Sequence, residues 1–176
     1  MHREAEVVIQ EIVGGSVGTA ELLKQLAEIS MKGNEYSLSD EARWEATMSH
    51  FQQEFSAFDG ERSVFFVAER AEKVVGFARA SVHPGRPRQW WLNGLEVLQE
   101  HRRAGVGTRL TRARIKALSK RKIGSIWAHI HKTNIASLVV AHKVGLRILT
   151  DKAETITGTH DDSGRFWFLR MEPPGA

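Results

Sequence analysis

The chain contains no cysteine among its 176 residues. This absence excludes a disulfide framework, a thiolate nucleophile and a cysteine-based metal site, and it allows a reducing compartment. No run approaches the roughly 18 consecutive apolar residues that a transmembrane helix needs. The N-terminal segment MHREAEVVIQ also lacks the apolar core of a signal peptide. We therefore expect a cytoplasmic protein that makes no membrane contact.

The composition is that of an ordinary globular protein, with 41% hydrophobic and 26% charged residues. A chain of this length can bury a hydrophobic core of its own. We find no repeat, linker or low-complexity tract along it. The expectation is one domain over residues 1–172, followed by a flexible tail at 173–176.

The net charge of +4 conceals an uneven distribution, because nine Arg or Lys residues and one acidic residue lie between Gln99 and Lys122. Clustered basic charge suits a polyanionic cofactor or nucleic acid. Nucleic acid is the less favoured partner, since no aromatic residue that could stack on a base is interleaved with these cations. The acidic remainder suits a cationic substrate. Four of the cations are assigned to a solvated helix face, Arg109, Arg112, Arg114 and Lys116.

A strand, a glycine-containing turn and a helix follow one another within this basic region. The strand is predicted over Trp90–Leu98, and the helix carries an apolar face at helical spacing, formed by Val106, Leu110, Ala113 and Ala117. A turn of this kind holds anions, because the unpaired amides of the first helical turn and the helix dipole favour negative charge. The dinucleotide fingerprint would need glycine where Leu110 stands, and the P-loop sequence is absent.

The pattern Arg102-x-x-Gly105-x-Gly107 resembles the pyrophosphate-binding loop of the GCN5-related N-acetyltransferases, the GNAT superfamily. A second motif, Asn134-x-x-Ser137 with Lys143-x-Gly145-Leu146, resembles the helix of that family that follows the next strand. The predicted element order, β-α-α-β-β-β-α-β-α-β-β, is similar to the family's and ends in two strands, 146–157 and 165–171.

The resemblance implies an α/β fold with a single mixed, mostly antiparallel sheet and about four flanking helices. Its central parallel strands, Trp90–Leu98 and Ser125–His131, would splay apart and leave backbone amides free for acetyl-CoA. The residues implied to bind acetyl-CoA are Val97, Arg102, Arg103, Ala104, Gly105, Val106, Gly107, Thr108, Asn134, Ser137 and Lys143.

The implied mechanism is direct attack of a neutral amine on the thioester, with the Val97 amide stabilising the developing oxyanion. The sequence departs from the family at two positions. Ala141 stands where many members carry the tyrosine that protonates the thiolate, and Asn93 stands where many carry a glutamate base. The catalytic candidates are therefore Asn93, which could orient water, and the nearest carboxylate, Glu96. Strict alternation places Glu96 on the opposite face from Asn93, unless a bulge redirects it.

The acceptor is expected to meet Glu35 and Tyr36, in the segment between the first two helices, and His129 on the strand that faces the cleft. The favoured acceptor is a primary amine of a small molecule, such as an aminoglycoside-like or polyamine-like cation. The N-terminus of a protein or peptide is the alternative, and a nucleic-acid-binding module that is not an enzyme ranks last. No metal is expected, because the histidine spacing matches no metal motif. The oligomeric state stays open, with a homodimer as one option.

Overall fold

A computed structural model describes residues 6–12, 20–34, 36–56, 58 and 60–173. Glu35 and the tail residues 174–176, both named in the sequence predictions, lie outside the described residues. The helices are α1 (Ala20–Gly33), α2 (Glu41–Ser56), α3 (Val106–Ser119) and α4 (Ile135–Lys143). The strands are β1 (Val8–Ile12), β2 (Ser63–Arg70), β3 (Lys73–His83), β4 (Arg86–Val97), β5 (Ser125–His131), β6 (Arg147–Thr150), β7 (Ala153–Glu154), β8 (His160–Asp161) and β9 (Phe166–Met171).

Seven of these strands form one mixed sheet in the order β1-β2-β3-β4-β5-β9-β6. The β4–β5 pair is parallel, and the other neighbouring pairs are antiparallel. The predicted fold class, a mostly antiparallel mixed sheet with a central parallel pair and four helices, is confirmed. None of the described helices is both long enough and apolar enough to cross a membrane.

The two faces of the sheet carry separate hydrophobic clusters. The apolar face of α3 packs on one side, where Val106, Leu110 and Leu118 are buried against alternate residues of β2, β3 and β5. Helices α1 and α2 cover the other side, where Phe51 meets Phe77 edge-on and Phe77 stacks on Phe65. Burial of these aromatic rings fixes which side of β2 and β3 faces each helix layer.

The parallel pair at the centre of the sheet is short. β4 and β5 are in register only from Gln89 opposite Ser125 to Leu92 opposite Ala128, although both strands continue beyond that point. After Leu92 the two strands diverge, so the β5-facing edge of β4 is no longer paired with β5. The expected splay is therefore present and begins at residue 93.

A β-bulge lies where the divergence begins. The β3–β4 register shifts between Ala78 and Arg79, and the additional residue on β4 is Gly94, with φ of +53°. A side chain at residue 94 would also bring its Cβ within 2.5 Å of Arg79 Nε, so glycine is required there. Because of the bulge, Glu96 pairs with Phe77 on the α1–α2 face, the same face as Asn93. Strict alternation therefore fails here.

The predicted closing strand over 146–157 is broken in the structure. β6 ends at Thr150, whose hydroxyl accepts a hydrogen bond from the Lys152 amide, and the chain then turns away from the sheet. β7 and β8 form a separate two-stranded hairpin before β9 returns between β5 and β6. This hairpin brings Ile156 and Asp161 to the centre of the molecule, which a continuous strand would not do.

Candidate active site

A cavity of about 420 Å³ opens where β4 and β5 diverge. It passes between the two strands, with walls from both faces of the sheet. The α3–α4 side contributes Thr111, Arg114, Asn134, Ser137, Val140 and Ala141. The opposite side contributes Trp91, Asn93, His129, Phe166 and Ile156. The space is therefore a passage through the sheet with one wall formed by helices and one rich in aromatic side chains.

The loop that leads into α3 is open to an anion. Gly105 occupies the N-cap position with φ of +78°, and a Cβ built there meets no heavy atom within 4 Å. The amides of the first helical turn lack intrahelical partners and carry the positive end of the helix dipole. Arg102 is exposed, and its Nε donates to the Val97 carbonyl at 2.9 Å, which ties the loop to the end of β4.

The amide of Val97 points into the gap between the strands. The next amide, of Leu98, donates to the Val75 carbonyl of β3 at 2.9 Å. Successive amides of an extended strand point to opposite edges, so the Val97 N–H is directed away from β3 toward the side that β5 has left. Val97 is not among the described residues that line the cavity, so its contact with the thioester stays a prediction.

The start of α4 forms the neighbouring wall. Asn134 caps the helix, with its Oδ1 accepting from the Ser137 amide at 3.1 Å, and both residues line the cavity. Capping uses an acceptor oxygen of Asn134, so its amide NH₂ group can still donate to a ligand. Lys143, at the last turn of α4, is exposed and is not among the described residues that line the cavity.

Glu96 lies beneath the C-terminal end of α1. Its Oε2 would be 2.7 Å from a Cβ at Gly33, so this glycine makes room for the carboxyl group. Burial raises the pKa of Glu96 to about 7, against the opposing effects of Arg79, Ser30 and Arg102. A carboxyl group with this pKa can accept a proton near neutral pH. It is not one of the described residues lining the cavity, so a water has to connect it to an amine bound there.

Asn93 lines the cavity directly. Its Nδ2 donates to the Ser81 hydroxyl at 3.0 Å, while its buried Oδ1 has no hydrogen-bond partner among the described residues. A buried acceptor without a partner is costly, and a bound substrate or water could satisfy it. The position therefore suits orientation of a donor rather than removal of a proton.

His129 forms the centre of the aromatic wall. Its Nε2 lies 3.1 Å from Asp161 Oδ2, and its ring stacks on Phe168 with a centroid distance of 4.5 Å. Hydrogen bonds from Ser163, and to a lesser extent from His129, lower the pKa of Asp161 to about 2. The sequence predicted His129 but gave no indication of Asp161, because the contact joins residues 32 positions apart.

Tyr36 is the remaining described candidate for the acceptor site. Its side chain is exposed, and the guanidinium group of Arg43 lies 4.3 Å from the ring centroid. Tyr36 is absent from the described cavity lining, so its contact with an acceptor stays a prediction.

Arg114 was assigned to the solvated face of its helix, and that assignment is wrong. Its side chain is buried, 2% exposed, and lines the cavity. The signal was present in the sequence, since Arg114 lies one turn after Leu110 and one turn before Leu118, both of which are buried. The prediction followed the charge of Arg114, which favours exposure, and not its position on the helix, which indicates burial.

The arrangement of loop, splay and capped helix is matched by a protein family. The acetyltransferase (GNAT) family model covers residues 23–146 of the chain. This chain belongs to the GNAT family. It is an acetyltransferase of the acyl-CoA-dependent class.

Solved structures with the same fold have low sequence identity to the chain. An aminoglycoside 6′-acetyltransferase type Ii superposes with a TM-score of 0.72 at 16% identity, over 96% of this chain and 99% of that one. A ribosomal-protein-alanine N-acetyltransferase from Brucella melitensis superposes with a TM-score of 0.68 at 23% identity, over 94% of this chain and 99% of that one. The PaiA N-acetyltransferase from Thermoplasma acidophilum, in complex with coenzyme A, superposes with a TM-score of 0.67 at 15% identity, over 95% of this chain and 99% of that one. No curated protein matches the chain significantly. These similarities show the fold.

The residues of this chain fit the acyl-CoA that the family uses. The space at Gly105 leaves the first-turn amides of α3 accessible to a pyrophosphate, and the splay leaves the Val97 amide unpaired with β5. Asn134 and Ser137 supply polar groups along the passage.

Replacing Gly105 with glutamate is expected to abolish acetyl-CoA binding while leaving the fold intact. The new carboxylate would occupy the open space above the α3 amides, where the pyrophosphate is expected. Calorimetry with acetyl-CoA measures the effect. Gly105→Ala, which adds backbone strain at φ of +78° without the charge, is the control and should bind more tightly than Gly105→Glu. Unchanged affinity in Gly105→Glu would show that the loop assignment is wrong.

Glu96→Gln is expected to stabilise the protein at alkaline pH. The native carboxyl keeps its proton up to a pKa of about 7, whereas the unfolded one loses it near 4.5, so the wild-type free energy of unfolding falls as pH rises through this interval. Glutamine removes that dependence. The resulting gain in the free energy of unfolding over wild type is up to about 3 kcal/mol at pH 8 and nothing below about pH 4.5. Urea unfolding across pH measures it, with the exposed Glu100→Gln as control. Parallel pH profiles for wild type and Glu96→Gln would contradict the assignment.

Proposed function

We propose that the protein transfers an acetyl group from acetyl-CoA to a primary amine of a small cationic molecule. The observation that supports this most strongly is the cavity at the β4–β5 splay, which has α3 and α4 on one side and His129, the partner of the ionised Asp161, on the other. An anion site at one end suits the pyrophosphate. A carboxylate at the opposite wall suits an ammonium group, which binds there before it loses its proton.

Each end of the passage has a distinct role in this proposal. The α3 amides and Arg102 hold the pyrophosphate, and Asn134 orients the pantetheine chain by hydrogen bonds. The Val97 N–H donates to the thioester carbonyl oxygen as negative charge develops there, which is the largest electrostatic contribution available from the backbone. These contacts also supply the alignment of the two reactants.

Proton transfer is assigned to water and Glu96. The amine has to lose its proton to become a nucleophile, and a water between the cavity and Glu96 can carry this proton to a carboxyl whose pKa is about 7. Asn93 orients that water through its unpartnered Oδ1. Ala141, which is buried in the cavity wall, offers no acid for the thiolate. The departing thiolate therefore takes its proton from the positively charged nitrogen of the tetrahedral intermediate or from water.

The alternative acceptor is the N-terminal amine of a protein or peptide. The similarity of fold to ribosomal-protein-alanine N-acetyltransferases favours it, and that similarity is as extensive as the one to the aminoglycoside enzyme. The charge of the site favours the small cationic molecule, because His129 in the cavity wall is paired with the ionised Asp161. Within this proposal, residues 1–172 act as one catalytic domain in the cytoplasm.

An acceptor screen should separate the two hypotheses. Purified protein is incubated with acetyl-CoA and polyamines, aminoglycosides or peptides with a free N-terminal alanine, and release of the CoA thiol is followed. We expect turnover with at least one small cationic amine and little with the peptides, because His129 in the acceptor wall is paired with an ionised carboxylate. Turnover confined to peptides would favour the alternative. Gly105→Glu is the negative control for thiol release that does not depend on acetyl-CoA binding.

No single side chain is expected to be indispensable for catalysis. Glu96→Gln, His129→Ala and His131→Ala should each lower kcat/KM by no more than about 10²–10⁴-fold, the usual worth of one proton-transfer group. The largest loss is expected for Glu96, and the wild-type rate should rise with pH toward the pKa of the acceptor amine. Steady-state kinetics across pH, with acetyl-CoA affinity as the control for binding, measures this. Complete loss of turnover in His129→Ala or His131→Ala, with that affinity retained, would identify a dedicated base and contradict the assignment.

A further inference from the structure

Arg114 makes three hydrogen bonds, two of which connect α3 to the β-bulge. Its Nη1 donates to the carbonyl of Arg79 at 2.6 Å and to the carbonyl of Asn93 at 3.0 Å. Its Nη2 donates to the Thr111 hydroxyl at 3.0 Å, and that hydroxyl donates to the Gly107 carbonyl at 2.8 Å. One guanidinium group therefore contacts β3, β4 and the first turns of α3 together.

The two carbonyls belong to the residue pair that borders the bulge. Arg79 and Asn93 are opposite each other in the β3–β4 register, and the additional residue, Gly94, follows directly. A bulge interrupts the ladder, so neighbouring backbone groups depend on other partners. The bulge in turn determines which way the later residues of β4 face. A shift of one residue there would exchange the directions of Glu96 and Val97.

Stability alone does not account for a cation at this position. Arg114 is 2% exposed, its hydrogen-bond acceptors are neutral oxygens, and its buried Nε has no partner among the described residues. Burial of a guanidinium group without a counter-ion is costly, and it lowers the pKa of Arg114 to about 9. Leu110 and Leu118, one turn before and after, show that an apolar side chain fits this face of the helix.

We infer that Arg114 is a positioning residue for acetyl transfer, which holds the β4 bulge so that the Val97 amide faces the acyl carbonyl and Glu96 faces the acceptor side. This inference rests on the proposed role of the Val97 amide. The residue acts through the backbone of β4 and does not itself contact the reacting atoms.

Comparison of acetyl-CoA with CoA tests this role of Arg114, because only acetyl-CoA has the carbonyl that the Val97 amide would bind. Arg114→Gln should leave the CoA affinity within about twofold of wild type, since the pyrophosphate loop is separate from the bulge. The preference for acetyl-CoA over CoA, about 2–10-fold if one hydrogen bond is responsible, should fall to near one. With an acceptor from the screen, kcat should fall at least tenfold while the KM for acetyl-CoA changes little. Calorimetry and steady-state kinetics supply these values.

The matched control is Arg112→Gln, which removes the same charge from an exposed position two residues earlier on α3. Arg112→Gln should behave as wild type in all measurements. Thr111→Val retains the guanidinium group and removes one of its anchors, so it should change the acetyl-CoA preference in the same direction by a smaller factor. Should Arg114→Gln fail to fold, Arg114→Lys and Thr111→Val replace it, because each retains a donor or the whole guanidinium near the bulge.

Hydrogen exchange separates failure of this inference from failure of the proposed function. Backbone amides over 93–98 should exchange at least tenfold faster in Arg114→Gln than in Arg112→Gln, and amides of α2 should be unaffected. Unchanged exchange over 93–98 would overturn the positioning role of Arg114. A wild type with no preference for acetyl-CoA, combined with faster exchange in Arg114→Gln, would instead overturn the Val97 assignment and leave the hold on the bulge supported.

Discussion

The separation of β4 from β5 after four paired residues is the constraint on which the active site depends. A parallel pair that continued to Val97 would use the facing backbone N–H and C=O groups of both strands in hydrogen bonds to each other and close the passage between them. The separation instead leaves a donor edge inside the sheet. The walls of the cavity lie on the two faces of the sheet at this gap. Helices α3 and α4 form the wall on one face, and the aromatic wall lies on the other.

Maintaining an unpaired edge inside a protein requires compensation. The guanidinium group of Arg114 provides part of this compensation, because it donates to the Asn93 carbonyl where the gap begins. The bulge also changes β4, because the left-handed backbone of Gly94 reverses the alternation of side-chain directions along the strand. Local strain and buried polar groups therefore concentrate where the chemistry takes place, while the aromatic cluster of α1, α2 and β2 is regular and apolar.

The sequence predicted the fold and the anion loop because both depend on local patterns. Glycines at fixed positions before an amphipathic helix, and a capping asparagine after a strand, can be recognised without knowledge of distant contacts. The bulge could be proposed but not located, because its position depends on the pairing of Arg79 with Asn93 across the sheet. The partner of His129 was missed for the same reason, because Asp161 comes from a distant part of the chain. The buried state of Arg114 was missed for another reason: its helical position indicated burial, but its charge was taken to indicate exposure.

The β7–β8 hairpin has a consequence for how acceptor preference can change in this protein. It is paired with neither β6 nor β9, and it reaches the cavity through Ile156 and through the contact of Asp161 with His129. In the proposed function, the acceptor wall therefore combines sheet residues such as His129 and Phe166 with this hairpin. Changes of length or sequence between Asp151 and Arg165 would alter that wall without removing a strand of the seven-stranded sheet. Under that proposal, selectivity for the amine can change separately from binding of the donor.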